Sequence, residues 1–394
     1  MKVRIRALIF ILLFILLTGC KKEDSQGETK DTNETSETNE TLPISEETDD
    51  GEVPIITDES DIISDETDSE TEESTVVSGS SGEVYGNARD YLPLLENVKY
   101  HYEGQGNEFA SFDITVDYLT SDTIQYRTNN GGSQIVEVFK KNADNITRNL
   151  FRGEVYYREN LTSKEDKEKD IIIKDPVQVG NSWTLADGSK REITGVARPI
   201  ETSLGTYDTV EITTTTKKAK VQEYYAKDIG LVKRVYLEND LTVTSSLSKI
   251  EVDIPLVQTV RFFYPDKNME NIIYHDKEIE FKTNDMTKII LEREYKDIGK
   301  DNASPVLPVS AKILSLYLNK DGAVYIDFSK ELISQMNAGA GSEGLILQSI
   351  VNTFGNYYGV EKVYLTVENK PYESGHIVLE KGEKLKVDME KVID

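Results

Sequence analysis

The chain has 394 residues, with 71 Asp and Glu against 45 Lys and Arg and a net charge of −26, a length that holds two ordinary domains. The acidic sign speaks against nucleic acid, whose phosphates need clustered Lys and Arg. A single cysteine, Cys20, excludes an intramolecular disulfide, a zinc ribbon and any cysteine-held cluster. The three histidines, His101, His275 and His376, stand far apart without metal-ligand spacing. No metal and no cofactor is expected.

Lys2, Arg4 and Arg6 form a basic start, and residues 7–17 follow as an apolar run. That run is shorter than the about 20 residues of a bilayer span and has the form of a secretory signal peptide. It leads into Leu17-Thr18-Gly19-Cys20, which resembles the lipobox of bacterial lipoproteins. The resemblance implies a signal peptide over residues 1–19 and an acylated, palmitate-type anchor on Cys20. The expected location is the outer face of the cell membrane, with each buried methylene worth about 0.8 kcal/mol. Residues 21–84 carry 22 Asp and Glu against 3 Lys. Such a segment cannot bury enough apolar surface to offset its chain entropy, so residues 20–84 are expected to be a disordered acidic linker. A flexible chain of that length spans about 40–50 Å.

From 85 to 254 the texture changes to Tyr, Thr, Val and Ile in short runs. Alternation of the kind in Phe112-Asp113-Ile114-Thr115-Val116 predicts strands over 98–103, 109–119, 123–127, 135–140, 154–158 and 170–174. Further strands are predicted over 190–196, 207–215, 221–227, 231–238 and 242–250. Asn129-Asn130-Gly131-Gly132 and Asp187-Gly188 supply turns that tolerate positive φ. The helical signal is confined to a short stretch at 88–95. The expectation is an all-β antiparallel domain built as one strongly curved sheet. Val179-Gly180-Asn181-Ser182-Trp183, Gly205-Thr206-Tyr207 and the segment from Tyr224-Tyr225 to Lys233 resemble a pattern of envelope lipoproteins. Those proteins often fold as half-barrels like the lipoprotein-carrier family, some of which hold an acyl chain in the concave face.

Pro255 opens a second domain over 255–394. A strand over 257–264 ends at Pro265-Asp266, and 272–274 with 278–282 make a second extended stretch. Asn284 is a candidate cap for a helix carrying Met286, Ile289, Ile290 and Tyr295. Leu314, Leu316 and Leu318 share one strand face, Val324, Ile326 and Phe328 another, and Asp321-Gly322 supplies the turn between them. Ser342 is a candidate cap for a second helix with Ile346, Leu347, Ile350, Val351 and Phe354, whose exit Gly355 and Gly359 mark. Val363, Leu365 and Val367 line a last strand. Sheet face and helix stripe complement each other, so a two-layer α+β domain is expected, and the chain overall is α+β.

Four blocks here carry a resemblance: Leu314-Ser315-Leu316-Tyr317-Leu318, the run from Gly322 to Leu332, Gln348-Ser349-Ile350-Val351-Asn352-Thr353, and Gly359-Val360-Glu361-Lys362-Val363. With Ser304-Pro305 and Leu307-Pro308 before them, they resemble the GerMN domain, named after a sporulation and spore-germination lipoprotein. The loop before the hairpin is shorter than the family pattern, and the tail from His376 is longer. The resemblance implies a protein-interaction fold similar to the ring-building motifs of a sporulation secretion channel, in a Gram-positive spore former, and it implies no activity.

Asp327 is the obvious candidate acid, but its place beside Phe328 and the strand exit suits a turn or helix cap better. Asn352, inside the second helix, suits hydrogen bonding to loop backbone. With Asp321, Gly322, Gln348 and Gly359 these are motif residues of structural kind. No Gly-x-Ser-x-Gly elbow or phosphate-binding loop occurs. The chain therefore reads as a non-enzymatic interaction module in sporulation, germination or envelope assembly. Tyr317, Tyr325 and Tyr364 are the candidate surface for a protein partner or for self-association. The alternatives are a lipid or glycan carrier working through the β domain, or a cell-wall hydrolase or its regulator.

Overall fold

A computed structural model describes residues 84–299 and 302–393; the expected signal peptide, Cys20 and all but the last residue of the expected acidic linker lie outside the described residues. The first six strands are β1 (Lys99–Gln105), β2 (Phe112–Leu119), β3 (Thr123–Asn129), β4 (Gln134–Lys141), β5 (Asn145–Gly153) and β6 (Asp170–Lys174). The next six are β7 (Ser182–Thr184), β8 (Lys190–Thr202), β9 (Gly205–Thr215), β10 (Lys220–Ala226), β11 (Gly230–Glu238) and β12 (Leu241–Glu251). They pair in the order β6-β5-β4-β3-β2-β1-β12-β11-β10-β9-β8-β7. Two antiparallel meanders are thus zipped together by β1 against β12.

The free edges of this sheet, β6 and β7, are capped by side chains instead of backbone pairing. Trp183 on β7 donates its indole N–H to the Ile171 carbonyl on β6 at 3.0 Å, and Arg191 on β8 reaches the same oxygen at 2.6 Å. Edges so covered are closed to other strands. The curl packs Val116, Ile124, Ile146 and Ile173 from one meander against Trp183, Ile193 and Ile212 from the other. The helical signal at 88–95 becomes a single 3₁₀ turn, Ala88–Tyr91, because Pro93 cannot continue a helix. Inside the curve, Tyr100, Tyr102, Tyr126, Phe139 and Tyr225 crowd around a cavity of about 70 Å³. That is below the about 300–1,000 Å³ of small-molecule sites.

One predicted strand is wrong. Residues 154–158 are irregular, and the strand lies just before them as β5. Its alternation is hidden because the polar Thr147 and Asn149 are buried. After β5 the chain leaves the sheet as a long strap.

The C-terminal half begins with a ribbon, β13 (Leu256–Pro265) against β14 (Ile272–Phe281), followed by helix α1 (Thr287–Lys296). Then come β15 (Ile313–Leu318), β16 (Val324–Phe328), the short α2 (Glu331–Ser334), α3 (Ala340–Tyr358), β17 (Lys362–Val367), β18 (Lys370–Pro371) and β19 (Leu385–Lys386). β15 and β16 form the predicted hairpin, while β16 and β17 run parallel with α3 as their crossover. Ribbon, helices and sheet share one core built on Phe262, Phe281, Tyr295, Phe328, Ile350 and Phe354.

Four local expectations are corrected. Asn284 does not cap α1; it sits at φ 69°, and its side chain accepts the Leu119 amide across the molecule at 2.9 Å. Ser342 lies inside α3, whose N-cap is Gly339. Gly355 is also inside α3, and a side chain is excluded there because a Cβ would lie 2.3 Å from a Val387 methyl. Only Gly359, at φ 67°, forms the left-handed exit. Leu314 falls in a bulge between Ile313 and Ser315 and turns outward, leaving Ile313 in the core.

Candidate functional site

Tyr317 on β15 pairs with Tyr325 on β16, and Tyr325 with Tyr364 on β17. Since neighbours across a sheet share a face, the three rings stand together opposite the core. Tyr317 and Tyr325 stack at 5.6 Å and 27°, and Tyr325 and Tyr364 lie at 4.9 Å and 59°. Tyr317 is 40% exposed and the other two are half-buried.

The ladder abuts the hairpin tip, where Gly322 takes φ 75°. The Asp321 carboxylate accepts from Lys384 Nζ at 2.6 Å and from the Tyr325 hydroxyl at 3.0 Å. The hydrogen bond from Lys384, then those from Tyr325 and the Ala323 amide, hold the Asp321 carboxyl down to about 2. The bond to Asp321 in turn raises the Tyr325 phenol. A depressed carboxyl stabilises the fold fully above its unfolded value of about 3.9. This clasp between hairpin tip and tail is therefore expected to loosen as pH falls from about 4 towards 2. A carboxyl-carbon NMR titration should place the Asp321 midpoint near 2 in the wild type and higher in Lys384→Ala. A midpoint at the ordinary aspartate value would refute the clasp.

Asp327 is buried, and its carboxylate accepts the Thr366 hydroxyl at 2.6 Å and the Asn369 amide at 2.8 Å. It thereby holds the turn after β17, where Glu368 and Asn369 have φ of 51° and 61°. Asn352 is fully buried and exchanges bonds with the Asp388 backbone, donating at 2.6 Å and accepting at 3.0 Å. Gln348 joins in, donating to Asn352 at 2.8 Å and to the Lys386 carbonyl at 3.0 Å. These motif residues fasten the tail to α3. Among the described residues no three His, Cys, Asp or Glu side chains gather as metal ligands. His101 lies between Asp113 and Glu251, each at 2.7 Å, and His275 between the Ile298 carbonyl and Asn302.

Sequence reasoning missed what joins the two halves. Arg158, on the strap after β5, is 1% exposed. Its guanidinium donates to the Asp117 carbonyl at 2.6 Å, the Lys282 carbonyl at 2.9 Å, the Tyr118 hydroxyl at 2.9 Å and the Asp285 carbonyl. It lies 4.1 Å from the centre of the Tyr118 ring and 5.2 Å from that of Phe281. The Asp117 carboxylate is itself held by Arg127 at 2.9 Å. Beside this latch Asn97 and Thr283 trade two 2.8 Å bonds, and Tyr157 packs on Tyr358 at 4.8 Å. The aromatic ladder is thus presented at a set orientation to the twelve-stranded sheet. The signal in the sequence was an arginine in the aromatic run Tyr156-Tyr157-Arg158, which reads equally well as a strand.

Residues 261–373 match the model of the Germane family, described as sporulation and spore germination. No curated protein matches the chain. Among solved structures the chain is similar to the first GerMN domain of the sporulation protein GerM from Bacillus subtilis, at 19% identity over 31% of this chain and 94% of that one, with a TM-score of 0.23. The tandem GerMN domains of the same protein align at 17% identity, over 31% and 44% of the two chains, with a TM-score of 0.25. A Clostridium perfringens protein assigned as a lipoprotein aligns at 22% identity, over 34% and 87%, with a TM-score of 0.22. The twelve-stranded sheet lies outside the family match, and residues 261–373, from within β13 to just past β18, are a Germane domain.

Proposed function

We propose that this protein is a lipid-anchored, extracytoplasmic and non-enzymatic interaction module. Its Germane domain docks a protein partner through the face formed by Tyr317, Tyr325 and Tyr364, in sporulation, spore germination or envelope assembly. The observation that carries this reading is the aromatic ladder on the outward face of the Germane sheet. Aromatic side chains are enriched at the centres of interfaces, where few rotatable bonds present much contact area. The latch at Arg158 supports the same reading, since a face held rigidly loses less freedom on docking. The lipobox-like Leu17-Thr18-Gly19-Cys20 supports the anchor. No helix among the described residues is long and apolar enough to cross a membrane.

The test uses the source bacterium. A photoreactive side chain at position 317 is expected to crosslink one envelope protein, and Tyr364→Ala should weaken that contact about tenfold or more. Tyr317→Glu should impair sporulation or germination while the protein accumulates normally. Cys20→Ala should move the protein from the membrane fraction to the soluble one. Normal spore yield and germination in Tyr317→Glu, with no adduct from position 317, would refute the docking face. Unchanged fractionation of Cys20→Ala would refute the anchor.

A further inference from the structure

The outer edge of the Germane sheet is β15. In an antiparallel pair, backbone groups point alternately towards and away from the partner strand. The Asn319 amide bonds the Ala323 carbonyl at 2.9 Å, which sets the phase: Tyr317 faces β16, while Leu316 and Leu318 turn their amides and carbonyls outward. Outward groups nearby are covered by side chains that imitate a missing strand. Glu292 accepts the Ile313 amide at 2.8 Å, Lys288 donates to the Leu314 carbonyl, and Glu159 accepts the Leu318 amide at 3.1 Å.

Between these covers no side chain among the described residues takes the Leu316 N–H, the Leu316 C=O or the Leu318 C=O. They open on a groove of about 980 Å³ between β15, the start of α1 and the strap. Met286, 58% exposed, and Tyr317 give it apolar walls. Its charged lining is basic, with Arg152, Lys164, Lys288 and Lys320 against Glu159 and Glu165. Glu165 is already held by Lys169 at 2.5 Å and Arg152 by Asp166 at 2.6 Å. Lys164 and Lys320 are exposed and make no ion pair among the described residues. A basic groove is unexpected on a chain of net charge −26.

We propose that an extended, acidic peptide segment of a partner protein adds to β15 as a further strand. Its backbone pairs with Leu316 and the Leu318 carbonyl, and its carboxylates meet Lys164 and Lys320. Backbone pairing at an open edge supplies the affinity in such strand addition, and side-chain contacts supply the choice of segment. This contact shares Tyr317 with the aromatic face but rests on the β15 backbone and on Lys164 and Lys320, which that face does not use, so either can fail alone.

The test titrates the purified full-length chain with two end-blocked peptides, one alternating Val with Glu and one alternating Val with Lys. The Glu peptide is expected to bind at least about tenfold tighter at low salt, and to weaken as salt rises. N-methylation of alternate peptide amides should reduce binding about tenfold or more. Leu316→Pro should do the same without unfolding the protein, because proline is tolerated where an edge N–H faces out. Lys164→Glu with Lys320→Glu, both on the surface, should reverse the preference between the peptides. Equal affinity for the two peptides, indifference to N-methylation, or no binding of the Glu peptide would each overturn the proposal.

Discussion

Arg158→Ala is expected to lower the unfolding free energy by about 3–5 kcal/mol, because several buried charge-assisted hydrogen bonds are lost together with the packing of the guanidinium. The guanidinium fills a site between the two sheets; its loss takes the donor of the Asp285 carbonyl and one of the two donors of each of the Asp117 and Lys282 carbonyls, which keep the Asn284 and Asp285 amides. An unsatisfied buried polar group costs about 1–3 kcal/mol, and lost packing against Tyr118 and Phe281 adds to that. The Asp117 carboxylate keeps Arg127, so no buried anion is stranded, which bounds the effect. Lysine is no substitute, because a single ammonium cannot fork towards carbonyls on both sides. Trp183, the chain's one tryptophan, reports on the twelve-stranded sheet, and hydrogen exchange in α3 reports on the Germane domain. In urea the two signals should coincide in the wild type and separate in Arg158→Ala. A loss below about 1 kcal/mol with coincident signals would show that the latch does not couple the halves.

Phe354→Ala is expected to cost about 3–5 kcal/mol as well, for a different reason. Its ring is fully buried on α3, edge-on to Tyr295 at 6.0 Å, where helix, ribbon and sheet meet. Truncation leaves a cavity that three elements of regular structure cannot collapse to fill. Tyr317→Ala, 40% exposed and on the other face of the same sheet, should stay within about 0.5 kcal/mol of the wild type. The pair separates the residues that hold the Germane domain together from those free to serve a partner. Similar losses in both variants would mean that the Tyr317 ring is structural, and the docking reading would lose its main support.

Much of the architecture was legible because it is local. Strand alternation from Lys99 to Glu251, the Asp321-Gly322 hairpin, the apolar stripe of α3 and the face of β17 depend on neighbours within a few positions. The three tyrosines were legible too, since each sits one residue out of phase with the apolar face of its strand. Errors fell where a distant partner overrides the local pattern. Residues 154–158 look like a strand, but Arg158 bonds to Lys282 and Asp285, 124 and 127 positions away. Asn284 looks like a helix cap, yet its side chain serves Leu119, 165 positions away. Leu314 has the periodicity of a core residue, and a bulge turns it out.

Composition, alternation and motif blocks by themselves determined the curved β sheet, the Germane domain and the candidate aromatic face. Only the tertiary structure decided that aromatic rings crowd around a small cavity inside the curve, that the two halves are latched, and that β15 leaves part of its edge open beside basic side chains. The physical reason is range. Periodicity records which face of one element is buried, whereas a buried guanidinium or an unpaired edge amide is defined by groups that chain folding brings from far away.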